Sequence, residues 1–140
     1  MRRLLAAVTA ALVMACAVAA GTTATAAADP VAGPPYVDHT QWVRLGGLSS
    51  LHVYPTPAGR AASRQLNDPG QGDEAWAEVL KLTPDANSPG MRDQFLCHWA
   101  FAEIAEPGKT SWNLEPWRPV VDDKTMVDTR CNPGGAEEQS

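Results

Sequence analysis

Residues 91–114 read MRDQFLCHWAFAEIAEPGKTSWNL, and whether their middle is helix or strand decides the fold. Phe95, Cys97, Trp99 and Phe101 are large or apolar at strict alternation, the pattern of a half-buried strand, while Met91, Phe95, Trp99 and Ala102 also fit a helical stripe. The residues downstream favour the strand. Glu106-Pro107-Gly108-Lys109 carries proline and glycine at the two centre positions of a turn, and Thr110–Leu114 suits an antiparallel return. The expectation is a short helix over Met91–Phe95 that passes into a strand near Leu96, then a hairpin over Leu96–Leu114.

Upstream, Tyr36–Leu45 and Leu48–Tyr54 are β-compatible runs separated by Gly46-Gly47, which supplies the positive φ angles of a two-residue hairpin turn. Pro55 and Pro57 end that hairpin, because proline cannot donate to a ladder. A weak helix is expected over Ala58–Leu66 and a loop over Asn67–Gly72. A better helix comes next, with Asp73 as N-cap and Trp76, Val79 and Leu80 on one face, until Thr83-Pro84 stops it. Ser88-Pro89 reads as the cap and first position of the helix that enters the deciding stretch. The sum is a small single α+β domain: an antiparallel sheet of two hairpins with two short helices on one face.

The first 28 residues set the expected destination. Arg2-Arg3 is a basic start, Leu4–Ala20 an apolar or small run, and Ala26-Ala27-Ala28 a small-residue cleavage site, so 1–28 reads as a secretory signal peptide cut after Ala28. Val13-Met14-Ala15-Cys16 resembles a lipobox, but Met14 fits it poorly and the later site is better formed. Residues 29–35, with three prolines and a glycine, read as a flexible lead, 36–133 as one secreted domain and 134–140 as a disordered tail. Cys16 would leave with the leader. Cys97 and Cys131 remain, an even pair in an oxidising location, and are expected to be bonded.

The chain has eleven basic and sixteen acidic residues, and loss of Arg2 and Arg3 leaves a formal charge of −7. That balance argues against nucleic acid and against a polybasic membrane surface. After the leader, no apolar run approaches the roughly 20 residues of a membrane span.

Catalytic signatures fail on inspection. Gly108-Lys109-Thr110 mimics the end of a phosphate-binding loop, but the required first glycine would fall at Glu103. Gly47-Leu48-Ser49-Ser50-Leu51 lacks the second glycine of a nucleophile elbow. His39, His52 and His98 show no metal-ligand spacing, so neither metal nor cofactor is implied. Cys97-His98 as a thiol and its base is disfavoured, since sequence neighbours diverge on either a strand or a helix and a bonded cysteine is no nucleophile.

Lys109–Pro119, KTSWNLEPWRP, is the most chemically distinctive run. Pro116 and Pro119 push Glu115 and Arg118 toward extended or polyproline backbone, which would put both charges on one side of a stiff segment displaying Trp112 and Trp117. The competing role for the tryptophans is packing over the core, with Glu115–Arg118 an ordinary ion pair.

Gly90-Met91, Gln94-Phe95, Cys97-His98, Lys109, the run Trp112–Pro119 and Cys131-Asn132-Pro133 resemble the domain of unknown function 2599 family, small exported proteins typical of high-GC Gram-positive bacteria. The resemblance spans about Trp42 to Pro133 and implies no activity, fold or ligand. It singles out Gln94, Cys97, His98, Lys109, Trp112, Asn113, Glu115, Arg118 and Cys131 for attention. The expected function is an exported, disulfide-stabilised binding module for an envelope or extracellular ligand, with Gln94, Trp112, Asn113, Trp117 and Arg118 as binding candidates. The alternative is an envelope-directed hydrolase in which His98 and Glu115 are general base and acid and Lys109 or Arg118 stabilises an anion.

Overall fold

Gly46 and Gly47 adopt φ of +56° and +85°, the left-handed pair that a two-residue hairpin turn demands and that a side chain would resist. They join β1 (Val37–Leu45) to β2 (Leu48–Pro55), which pair antiparallel with Leu45 opposite Leu48 and a bulge between Val37 and His39. The structure, a computed structural model, describes residues 33–65 and 68–136. The proposed leader lies outside the described residues, as do 29–32 of the lead and 137–140 of the tail.

The second hairpin is not formed. Met91–Ala105 is one continuous helix, α3, and the short β3 (Trp112–Leu114) pairs antiparallel with β2, with Val53 opposite Trp112 and Leu51 opposite Leu114. The sheet order is therefore β1-β2-β3. Composition and burial explain the outcome. Residues 91–105 hold a single β-branched residue, Ile104, among alanines and straight-chain residues that favour helix. The helical stripe Met91, Phe95, Trp99, Ala102 is buried against the sheet, while Phe101, the last member of the strand-like alternation, stays 42% exposed. The turn after α3 forms as expected, with Gly108 at φ +77° and the Lys109 N–H donating to the Glu106 carbonyl.

The described residues hold four α-helices rather than two. α1 (Pro57–Ser63) starts at Thr56, whose hydroxyl accepts from the Gly59 N–H at 2.9 Å. α2 (Pro69–Leu82) begins earlier than Asp73. Its N-cap is Asp68, which accepts from the Gly70 N–H at 3.1 Å, and Pro69 takes the first helical position, so the expected loop at Asn67–Gly72 becomes helix from Pro69 onward. Gly72 lets α2 approach α3 closely, since a Cβ there would lie 3.2 Å from the side chains of Leu96 and Trp99. Ser88-Pro89 does not cap α3. Gly90 does so at φ +81°. α4 (Asp123–Asp128), absent from the sequence reading, is capped by Asp122, which accepts from the Thr125 N–H at 2.7 Å.

The main core is aromatic. Phe95 lies within 5.5–6.3 Å of the rings of Trp76, Trp99 and Trp112, and Trp112 meets Trp99 edge-on. Leu51, Val53, Val79, Met91 and Leu114 close around them. A separate cluster joins Cys97, Met126 and Cys131, and ties α4 to α3. No helix among the described residues is long and apolar enough to cross a membrane.

Candidate functional site

Cys97 and Cys131 are bonded, with their Cα atoms 5.6 Å apart. The bridge fastens the middle of α3 to the turn that leaves α4. In that turn Arg130 and Cys131 both have positive φ, +54° and +65°, while their N–H groups donate back to the Val127 and Met126 carbonyls. Two successive left-handed residues without a glycine are costly, and here they reverse the chain so that Asn132 returns over α3.

Between that turn and the second half of α3 runs an open groove of about 610 Å³, a size suited to a small organic ligand. Phe101, Ala102 and Ala105 of α3 and Val127 of α4 supply its apolar lining. Its polar residues are His98, Glu106, Lys109, Arg130 and Asn132, and both cysteines of the bridge lie in its wall. His98 donates through Nδ1–H to the Gln94 carbonyl at 2.8 Å, as a carbonyl can only accept. Lys109 Nζ lies 3.9 Å from Glu106, a loose pair. The Arg130 guanidinium makes no ion pair or hydrogen bond among the described residues. Asn132 donates through Nδ2 to the Arg130 carbonyl at 2.8 Å, and its Oδ1 is buried without a hydrogen-bond partner among the described residues.

The residues picked out in the sequence divide between two places. His98 and Lys109 line the groove. Gln94, Glu115 and Arg118 instead form a buried polar network one turn nearer the N-terminus of α3, with Gln94 on the same helix face as His98. The Gln94 side chain bonds both backbone groups of Glu115, Glu115 accepts from the Ser50 hydroxyl at 2.8 Å and from Arg118 Nε at 2.6 Å, and Arg118 Nη1 reaches the Pro133 and Gly135 carbonyls at 3.1 and 2.6 Å. Glu115 is 4% and Arg118 3% exposed. The extended polyproline reading of this segment is overturned: the Arg118 N–H donates to the Glu115 carbonyl, so Glu115–Arg118 is a turn around Pro116, and the two charges meet across it. Trp112 is fully buried in the core, and Asn113, beside it on β3, accepts from the Ser111 hydroxyl. Trp117 is half-buried, with the Arg118 guanidinium 4.6 Å from its ring centre.

Sequence reasoning missed Phe101, Val127, Arg130 and Asn132 as groove residues. The available signal was the cysteine pair itself, since a bridge between Cys97 and Cys131 brings together the residues that flank each. It also missed Glu103, a buried carboxylate on α3 held by Arg60 and by Arg64 at 2.7 Å, which locks α1 against α3. Among the described residues no group of three or more His, Cys, Asp or Glu is placed to hold a metal ion.

Comparisons with known proteins give relatives of the same size class. Uncharacterised proteins of Mycobacterium bovis and of Mycobacterium tuberculosis are each 59% identical over 109 residues, covering 78% of this chain and 73% of their own. An uncharacterised protein of Mycobacterium leprae is 50% identical over 103 residues, covering 74% of this chain and 83% of its own. No solved structure matches the chain. The family model described as a protein of unknown function, DUF2599, matches residues 37–134, from the first residue of β1 to just past the bridge, and the chain belongs to that family.

Proposed function

We propose that this protein is an exported, disulfide-stabilised binding module that takes a small molecule in the groove between α3 and the Arg130–Asn132 turn. The observation that carries the reading is the groove itself: an apolar lining beside the side chains of Lys109 and Arg130, on a frame stapled by a disulfide. Export is supported by the leader-like residues 1–28 and by the bridge, which suits an oxidising compartment. The hydrolase reading has less support. His98 lines the groove, but both carboxylate oxygens of Glu115 are engaged, by Ser50 and Arg118, in a network of buried residues.

Two measurements test the proposal. Mass spectrometry of the protein recovered from culture medium is expected to show a chain beginning at Asp29 without lipid, and a lipid on Cys16 would overturn the cleavage assignment. Protein-observed NMR with a fragment collection is expected to give hits that shift the amides of Phe101, Ala105, Val127 and Asn132 together. Hits scattered over the surface, or none, would overturn the groove as a binding site.

A further inference from the structure

We infer that β1 is the interface of a two-fold dimer, in which the β1 strands of two copies pair antiparallel about Gln41 and join their sheets into one. No groove residue takes part, and the dimer stands apart from the binding proposal. β1 is an edge strand, paired only with β2 among the described residues. Leu45 and Leu48 flank a two-residue turn and so exchange both of their backbone bonds, as does every second pair from there, Val43 with Ser50 and Gln41 with His52. The residues between, Thr40, Trp42 and Arg44, turn their N–H and C=O groups outward, and no hydrogen bond among the described residues reaches those groups. Such an edge is a template for another strand.

The charge pattern of the strand selects a second copy of the same chain. Asp38 lies near one end and Arg44 near the other, both exposed. Antiparallel self-pairing brings opposite charges together at each end, whereas parallel pairing would oppose like charges. With the axis at Gln41, Arg44 of each copy falls opposite Asp38 of the other. Thr40 falls opposite Trp42, so outward backbone groups meet outward backbone groups, and the 36% exposed indole gains a β-branched neighbour. Gln41, whose own groups are spent on His52, takes the central pair that needs no bonds. Moving the axis to Thr40 or Trp42 keeps the ladder but separates the charges. The bulge between Val37 and His39 ends the ladder at Asp38, whose carboxylate bonds the neighbouring exposed His39 ring at 2.6 Å. The opposite edge, β3, is three residues long, too short to receive β1 and build an open-ended chain, so a closed two-fold pair is the favoured product.

Analytical ultracentrifugation of the purified protein tests the state, and cysteine substitution tests the register. A strand pair buries a small area, so association is expected between about 10 µM and 1 mM. Arg44→Asp opposes aspartate to aspartate twice and is expected to weaken the dimer roughly tenfold, while Asp38→Arg combined with Arg44→Asp restores it. The urea midpoint of each variant shows that it is folded. In mild oxidant Gln41→Cys is expected to give a cross-linked dimer, because position 41 of each copy stands opposite the other's at about 4.5 Å between Cα atoms. His39→Cys is expected to give none, since its two copies lie about 13 Å apart along the strands. Equal cross-linking of both variants, or of neither, overturns the inference, as does a dimer that ignores the charge reversal. A protein still monomeric at about 1 mM overturns it too. Slow exchange of the Thr40 and Trp42 amides in that monomer would show that another segment of the chain fills the edge, and fast exchange that nothing does.

Discussion

Gln94 on α3 pairs with Glu115 as a neighbouring strand would: its side-chain amide donates to the Glu115 carbonyl at 3.0 Å and its side-chain oxygen accepts from the Glu115 N–H at 2.9 Å. One side chain thus satisfies both backbone groups of a buried residue just beyond the end of β3, where the sheet no longer can. Gln94→Leu fills the same space but strands that N–H and C=O away from water. The expected cost is about 2–4 kcal/mol, read as a lower urea midpoint with an unchanged slope. A loss within experimental error would mean the segment rearranges freely and that Gln94 is not its anchor.

The Glu115–Arg118 pair predicts a non-additive pattern. Glu115→Gln leaves the buried Arg118 guanidinium without its counter-charge and should cost about 3 kcal/mol or more. Arg118→Met should cost a similar amount, because it strands the carboxylate. In the double variant Glu115→Gln with Arg118→Met neither charge is buried alone, so its loss is expected to be smaller than the two single losses summed. Thermal unfolding of the three variants decides this, and simple additivity would mean the two groups do not depend on one another.

The residues most conspicuous in the sequence are conspicuous for structural reasons. Gln94, Glu115 and Arg118 are the chemistry a buried polar network needs, and such a network resembles a binding surface when only residue types are visible. The β1–β2 hairpin is legible because its signal is local: two β-compatible runs around Gly46-Gly47. The bridge is legible from the cysteine count in a chain with a leader-like start. The Leu96–Leu114 hairpin is a misreading because α3 carries both periodicities, and the deciding fact, that Trp112 belongs opposite Val53, lies some sixty residues away in sequence. Arg130 and Asn132 are illegible for the same reason, since only α4 and the bridge bring them to α3.

Reduction of the Cys97–Cys131 bond should act in two stages. The bridge spans 34 residues, and the chain-entropy estimate for such a loop is about 3–4 kcal/mol, so the urea midpoint is expected to fall markedly in reductant. The bond also holds Arg130 and Cys131 in left-handed backbone that neither residue favours. The turn should therefore relax first, with amide exchange rising across α4 and at Asn132 in reductant but without denaturant, while β1 and β2 remain protected. Uniform loss of protection would show that the bridge supports the whole domain equally and not the groove wall in particular.

Acid should loosen the same wall by a different route. Asp122 accepts from the Thr125 N–H, the principal cause that holds its carboxyl below the ordinary aspartate range, with the Thr125 hydroxyl as a second donor. A carboxylate with a lowered folded-state pKa contributes its stability fully above the unfolded value, near 3.9, and loses it as pH falls through the folded value. The cap on α4 is thus intact at neutral pH and released only in strong acid. An NMR titration is expected to show the Thr125 amide following a single proton with a midpoint below 3.9, accompanied by faster exchange at Met126 and Val127. Asp122→Ala should leave α4 less protected at neutral pH and remove that acid transition, whereas Asp122→Asn, which caps without titrating, should keep the protection and lose only the pH dependence. A Thr125 midpoint at or above the ordinary aspartate value would mean that the hydrogen bond does not favour the charged form, and that the start of α4 is held by packing of Met126 against the bridge instead.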